Sequence, residues 1–250
     1  AKHAYKLAKE QHIHREEALA HRSIATVLIE RDELEEAKKH LDKSIAIDSL
    51  NNRKLEMSDA YNHYAKIFDR EGEYLKSIEY LIKALKINDE LGDKRAVAHL
   101  YSNIGSIYST INKYDMAIES ANKSLEYLEK APHKLIEATA LSALARSYFE
   151  KREIEKALEY NQRMLAICIE LNNVPGQAHC YNFYGMVYEY TQEHQKALHN
   201  YDKTITLAKE YGDISSAASA MSNKAVVYYN MKQYEKAIQI AQEPLELLKK

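Results

Sequence analysis

Small residues return at a fixed interval along this chain: Ala25, Ala65, Gly105, Ala145, Gly185 and Ala225 stand forty apart, without drift over six copies. Twelve places after each comes a second small residue, in the series Ala37, Ser77, Ala117, Ala157, Ala197 and Ala237. A period of that size marks a supersecondary unit that cannot bury its apolar face alone, so the copies must stack on one another. The copies occupy 14–52, 53–92, 93–132, 133–172, 173–212 and 213–250. Ala4 and Leu7, forty before Ser44 and Ile47, make residues 1–11 the expected end of a preceding copy. Residues 1–250 are therefore expected to form a single solenoid domain, a fragment of a longer protein.

Turn signals keep the same beat. Asn52, Gly92, Pro132, Asn172 and Gly212 lie between copies, residue types that break a helix or tolerate left-handed backbone. Asp32, Gly72, Asn112, Arg152, Gln192 and Lys232 lie halfway through each copy, and only the first three of these are good turn formers. Each copy is thus two helices joined by short turns. Inside the halves, apolar residues follow helical spacing, as Tyr101, Ile104, Gly105 and Tyr108 do on one face and Tyr114, Ala117, Ala121 and Ser124 on another. Three prolines and six glycines are too few for a loop-rich or β-rich chain.

Composition narrows the function classes. The net charge is -2 with both signs interspersed, which offers no basic stripe for phosphates, and nucleic acid is not an expected partner. No apolar run approaches the roughly 18 residues that span a bilayer, so no direct membrane insertion is expected. Of the eleven histidines no two stand three or four apart, the spacing that places two ligands on one helical face, and no metal site is expected. There is no Gly-rich phosphate loop and no nucleophile elbow. Carboxylate pairs such as Glu16 with Glu17, Asp32 with Glu33, and Glu35 with Glu36 fall in first helical turns or on exposed faces, where solvation and the helix dipole account for them. No catalytic residue and no cofactor is expected in this segment. The two cysteines, Cys168 and Cys180, are expected to be free thiols acting as small hydrophobes.

The spacing resembles the tetratricopeptide repeat family. Its first-helix pattern of a large residue, a small one and an aromatic is matched by Tyr61, Tyr64, Ala65 and Phe68, by Tyr101, Ile104, Gly105 and Tyr108, and by Tyr181, Tyr184, Gly185 and Tyr188. Its second-helix pattern is matched by Tyr74, Ser77, Leu81 and Ala84. The forty-residue period exceeds the family's usual thirty-four and is similar to its longer-helix members: Rap-type quorum-peptide receptors, kinesin light chains, and repeats joined to bacterial sensor kinases and cyclases. The resemblance implies an all-α, right-handed solenoid of six helical hairpins, about twelve helices plus the N-terminal stub.

It also implies a binding wall formed by first-helix residues three before, one after, and four or five after the small residue. Those positions hold Arg22, Asn62, Ser102, Ser142, Asn182 and Ser222, then Thr26, Lys66, Ser106, Arg146, Met186 and Val226, then Asp69, Phe149, Glu189 and Tyr190 among others. Asn and Ser suit main-chain amides, and Lys66 and Arg146 suit carboxylates. The Lys and Asn pattern of the family's carboxylate clamp is not found. In the stretch CYNFYGMVYEY at 180–190, Tyr181, Tyr184, Gly185 and Tyr188 fall in the packing register, while Phe183 and Tyr190 fall outside it and join the expected ligand-binding set. At Gly185, Leu is expected to overpack the helix pair and Ala to be tolerated.

The expected function is a scaffold for a protein or peptide segment, the sensor or regulatory region of a larger bacterial signalling protein, cytoplasmic or, if the parent is a membrane-anchored sensor, periplasmic. The segment could come from another chain or from an output domain of the same protein. The alternative is the N-terminal part of a signalling enzyme, a histidine kinase or nucleotide cyclase, whose catalytic domain lies outside 1–250.

Overall fold

The computed structural model describes the backbone of residues 2–247 and the side chains of residues 14–243. The described residues form twelve α-helices and no strand: α1 (Lys2–Glu30), α2 (Leu34–Leu50), α3 (Lys54–Arg70), α4 (Tyr74–Leu91), α5 (Lys94–Thr110), α6 (Tyr114–Lys130), α7 (Lys134–Glu150), α8 (Ile154–Glu170), α9 (Val174–Tyr190), α10 (His194–Tyr211), α11 (Ile214–Asn230) and α12 (Tyr234–Leu247). The expected N-terminal stub runs without a break into the first helix, so that α1 spans Lys2–Glu30.

The helices end where the register says they must. Asp32, Asn52, Gly72, Gly92, Asn112, Arg152, Asn172, Gln192, Gly212 and Lys232, spaced at twenty or multiples of it, all take positive φ. The residue after each sends its N–H back to a carbonyl in the last helical turn, as Glu33 N does to Leu28 O (2.9 Å), Glu73 N to Phe68 O (2.8 Å) and Glu193 N to Tyr188 O (2.8 Å). This six-to-one bond around a left-handed residue is the Schellman closure, which satisfies carbonyls that the helix end would otherwise strand. The same closure forms at Arg152, Gln192 and Lys232, residue types poorly suited to it. Pro132 cannot adopt positive φ, and there the chain makes only the bond from Ala131 N to Tyr127 O, at 3.2 Å.

Two compact units make up the chain, residues 1–136 and 137–250, with the division in the first turn of α7. In unit 1 the helices pair as α1 with α2, α3 with α4 and α5 with α6, and α2 and α4 also pack on the first helix that follows them. Unit 2 pairs α9 with α10 and α11 with α12, and α8 and α10 likewise pack on the helix that follows. Both small-residue registers are buried throughout. Ser77, the polar member of the second, donates from Oγ to Ala65 O at 2.8 Å, so the close approach is kept and the hydroxyl satisfied.

Side chains of successive hairpins interleave in the space this leaves. Unit 1 builds one core from Ala25, Ile29, Leu41, Tyr64 and Ile67 and the next from Ala65, Leu81, Leu100 and Ile104. Unit 2 builds its own from Ala145, Phe149, Ala157, Phe183 and Val187, and from Ala197, Leu198, Tyr201, Ala220 and Val227. Phe183 is 7% exposed, which corrects the expectation that it lies outside the packing register. Two residues before Gly185 it still points into the layer against α7, where its ring meets Phe149 edge-on at 5.8 Å.

Gly185 brings a second correction. A Cβ at this position would stand 2.5–2.8 Å from carbons of the Tyr201 ring, which is fully buried. Ala is therefore not tolerated without displacing a large core ring, and the helix-propensity gain of Ala over Gly is the smaller effect. The position facing the small residue is Leu41 in the first hairpin and Leu81 in the second, but Tyr201 in the fifth, and the larger partner takes up the room that even a methyl group would need.

Candidate functional site

Within unit 2 the inner faces of α7, α9 and α11, with one side chain of α10, line an open cavity of about 560 Å³. Phe149 comes from α7, Asn182, Met186, Glu189 and Tyr190 from α9, Tyr201 from α10, and Ser219, Asn223 and Asn230 from α11. The forty-residue period explains why these meet. A first-helix residue lies beside the residues 37 and 41 later, one helical turn apart on the next first helix. Asn223 Nδ2 donates to Asn182 Oδ1 at 3.3 Å and Asn230 Nδ2 to Glu189 Oε1 at 3.4 Å, both at separation 41. Ser142 Oγ and His179 Nε2, at separation 37, are 3.3 Å apart.

Electrostatically the cavity is simple. Glu189 carries the single formal charge among the described residues lining it. The Tyr201 hydroxyl donates to Glu189 Oε2 at 3.1 Å, and burial followed by the neighbouring carboxylate pushes the phenol's pKa up, so Tyr201 stays a neutral donor. At the rim, Tyr190 meets Phe149 edge-on at 5.6 Å and carries the Arg152 guanidinium over its ring at 4.3 Å. Arg152 itself stands in left-handed backbone.

Of the wall residues expected from sequence, Phe149, Asn182, Met186, Glu189 and Tyr190 are brought together here. Arg146 is exposed on α7 and lowers the pKa of His179, after the larger effect of burial. Asn62, half-buried, and Lys66 and Asp69, exposed, lie on α3 in unit 1. Beside Lys66, His63 is held neutral with its pKa lowered to about 4 by burial, then by Lys66 and Arg22. The Thr26 hydroxyl donates to Arg22 O at 3.0 Å, so His63 Nε2, 2.9 Å from Thr26 Oγ1, must be the donor between the two side chains. His63 Nδ1 is then bare and buried without a partner.

Arg22 and Ser102 correct the sequence reading, since neither is available to a ligand. Arg22 is 8% exposed; its guanidinium pairs with Asp48 and donates to Ser44 Oγ at 3.0 Å. Here the position three before the small residue faces the interior, where Asp48 of the second helix meets it. Ser102 is fully buried and its hydroxyl donates to His99 O at 2.7 Å. Phe183, already placed in the core, leaves the binding set for the same reason.

Sequence reasoning missed Ser219, Asn223 and Tyr201, and it named the row five after the small residue without naming Asn230, which stands in it. The first two stand six and two before Ala225, rows that face the preceding first helix; polar pairs at separations of 37 and 41 were the signal that would have found Asn223 and Asn230. Among the described residues no cluster of three or more His, Cys, Asp or Glu could hold a metal ion, and no helix is long and apolar enough to cross a membrane. Cys168 and Cys180 are buried free thiols, and burial raises the pKa of both.

The fold has many solved counterparts. The apo form of RapI superposes with a TM-score of 0.76 at 14% identity, over 94% of this chain and 84% of that one. The apo form of the quorum sensor NprR from B. thuringiensis gives 0.72 at 18%, over 93% of this chain and 65% of that one. A signal transduction ATPase with numerous domains and a tetratricopeptide repeat sensor, from Pyrococcus horikoshii, gives 0.74 at 19%, over 90% of this chain and 35% of that one. At such identities the likeness is one of fold. No curated protein matches the sequence. Models described as tetratricopeptide repeat match residues 56–130 and 136–210, and a further one matches 217–250: the chain belongs to the tetratricopeptide repeat family.

Proposed function

We propose that this chain is a binding scaffold, the sensor or regulatory region of a larger signalling protein, which captures an extended peptide or protein segment on the inner wall of unit 2. The observation that carries the reading is the cavity itself: three Asn amides, a carboxylate and two rings converge on the inner faces of α7, α9 and α11. A side-chain amide offers both a donor and an acceptor, which matches the main chain of an extended segment whatever its sequence. The present Asn–Asn and Asn–Glu contacts, at 3.3 and 3.4 Å, are long enough to be exchanged for ligand bonds at small cost. Being similar in fold to a quorum sensor and to the repeat sensor of a signalling ATPase supports a regulatory role, and no enzymatic role is proposed for this segment. The partner and any output domain follow from the parent gene.

The test is a peptide-library screen against the full chain, followed by titration calorimetry of a selected peptide. Replacing Asn182 and Asn223 together by Ala removes two backbone-directed groups, each contributing about 0.5–1.5 kcal/mol, so affinity should fall about tenfold or more with the helical signal unchanged. Full affinity in that double variant, or loss only on changing outward residues of the second helices, would move the site elsewhere.

A further inference from the structure

The carboxylate of Glu189 is unlike the acids elsewhere on unit 2. Glu193, for example, lies exposed and paired with Lys196 three residues on. Glu189 is half-buried and is held at both oxygens by neutral donors, the Tyr201 hydroxyl on Oε2 and the Asn230 amide on Oε1. Tyr201 is anchored by its fully buried ring, so the carboxylate is fixed in place before any ligand arrives. A carboxylate oxygen has two acceptor sites. One bond is made to each oxygen, and one site on each remains. Glu189 lines a cavity whose remaining lining is Asn, Ser, Met, Phe and Tyr, with no positive charge among the described lining residues.

An anion so placed loses hydration without gaining a counter-charge, and a cationic ligand group would supply one. The shape selects among cations. Two open lone pairs in the carboxylate plane suit the parallel N–H fork of a guanidinium better than the point charge of an ammonium. Phe149 and Met186 provide apolar surface for the methylene stem of a long basic side chain. The positive groups nearby on the chain, Arg146 on α7 and Arg152 in the turn that follows it, lie outside the lining; Arg152 is stacked on Tyr190.

We propose that Glu189 is the specificity anchor for an arginine side chain of the captured segment, bound bidentate at its carboxylate with the stem against Phe149 and Met186. This rests on the reading that unit 2 binds an extended segment, and it adds the residue type that the segment must carry.

The probe is a bead-bound library of short random peptides, acetylated at the N-terminus and tethered through the C-terminus, so that any selected positive charge comes from a side chain. It is screened against the full chain and against Glu189→Gln, which keeps the acceptor for Tyr201 and removes the charge. Selected peptides are expected to be enriched in arginine at one position. Exchanging that arginine for citrulline should weaken binding about tenfold, the step from a charged to a neutral hydrogen-bonded pair, with lysine intermediate. Glu189→Gln should erase the discrimination between arginine and citrulline. The citrulline exchange is read on the wild-type protein, so it decides the matter even if the variant proves unstable. Peptides selected without basic enrichment, or enriched in acids that meet Arg146 and Arg152, overturn the anchor and leave the groove standing. Arginine selected equally by both proteins overturns it too. No peptide selected by either protein overturns the segment-binding reading itself.

Discussion

Unit 1 and unit 2 build the same hairpin on the same register, yet one recurrent interior position is polar at two of its three places in unit 1 and apolar at both of its described places in unit 2. The position is Asp48, Asn88 and Leu128 in unit 1, and Cys168 and Ala208 in unit 2. Where a left-handed turn follows, its backbone role is constant: the carbonyls of Asp48, Asn88, Cys168 and Ala208 accept the closing N–H of that turn, from Arg53, Asp93, Asn173 and Asp213. Its side chain changes freely. Asp48 pairs with Arg22 and accepts from Ser44, and Arg53 Nε stands 2.9 Å from its other oxygen in an ion pair aligned off the hydrogen-bond axis. Asn88 donates to Ser58 Oγ at 2.6 Å. Cys168 and Ala208 are packed as small hydrophobes. Turn closure by the backbone therefore fixes the solenoid's period, and the side chain need only fit and be satisfied.

That comparison breaks most sharply at Asp48. Asp48→Ala leaves two buried guanidiniums, Arg22 and Arg53, without their carboxylate, and loss of one partner of a buried pair costs about 3–5 kcal/mol. Cys168→Ala removes a single buried atom and should cost about 1 kcal/mol. Urea unfolding of the two variants measures the difference. Equal midpoint shifts would mean that the charge network contributes no more than packing does.

The units differ next in how a glycine is used. Gly105 in unit 1 faces Ala121, and an added Cβ would lie 3.2 Å from Ala117 O and Ala121 N, a gap closed by a small shift. Gly185 in unit 2 faces the ring of Tyr201 at 2.5 Å. Gly185→Ala should therefore cost about 1–3 kcal/mol, whereas Gly105→Ala should be near neutral, strain being offset by about 1 kcal/mol of helix propensity. Adding Tyr201→Leu to Gly185→Ala should recover part of the loss, because Leu occupies the corresponding position in the first two hairpins. A thermal-melting cycle over the single and double variants reads the coupling; additive effects would show that the two residues do not compete for one space.

These contrasts also explain what could be read from sequence. Period, helix boundaries and the small-residue registers were legible because each is repeated, so that local errors cancel over six copies. The binding wall was legible only in part, since it depends on what stands opposite. Arg22 occupies a wall position by spacing and turns inward because Asp48 is there; Phe183 is excluded from the packing register by counting and included by its contact with Phe149. Asn223 became visible only when its partner on α9 was seen at a separation of 41. Spacing within one helix cannot report a pair made between helices.

Acid should act on unit 1 through His63. Its folded pKa, about 4, lies below the usual histidine value of 6.5, because burial and the charges of Lys66 and Arg22 disfavour the imidazolium. Between those two pH values the unfolded chain binds a proton that the folded chain does not. The stability contribution is therefore present above pH 6.5 and is lost as pH falls towards 4. Proton NMR should find the His63 ring titrating near pH 4, and His63→Gln should flatten the fall in unfolding midpoint over that window. A ring that titrates near 6.5 would show that Nδ1 reaches solvent.

The smallest expected effect separates the units by their turns. Unit 1 places Asp32, Asn52, Gly72, Gly92 and Asn112 at its left-handed positions, all types that tolerate that backbone, whereas unit 2 places Arg152, Gln192 and Lys232 at three of its five. A long side chain there costs about 1 kcal/mol against glycine in the folded state, part of which is returned by the greater unfolded-state freedom of glycine. Lys232→Gly and Gln192→Gly should each stabilise the protein by about 0.5 kcal/mol, read as a small rise in urea midpoint with unchanged slope. Arg152→Gly should gain less or nothing, because it also removes the guanidinium from the Tyr190 ring, a contact that contributes about 0.5–1 kcal/mol at an exposed site. Equal gains at all three positions would mean that the Arg152–Tyr190 contact is not stabilising. A gain at Lys232 and Gln192 with none at Arg152 would show left-handed strain offset at the rim of the cavity and nowhere else along these turns.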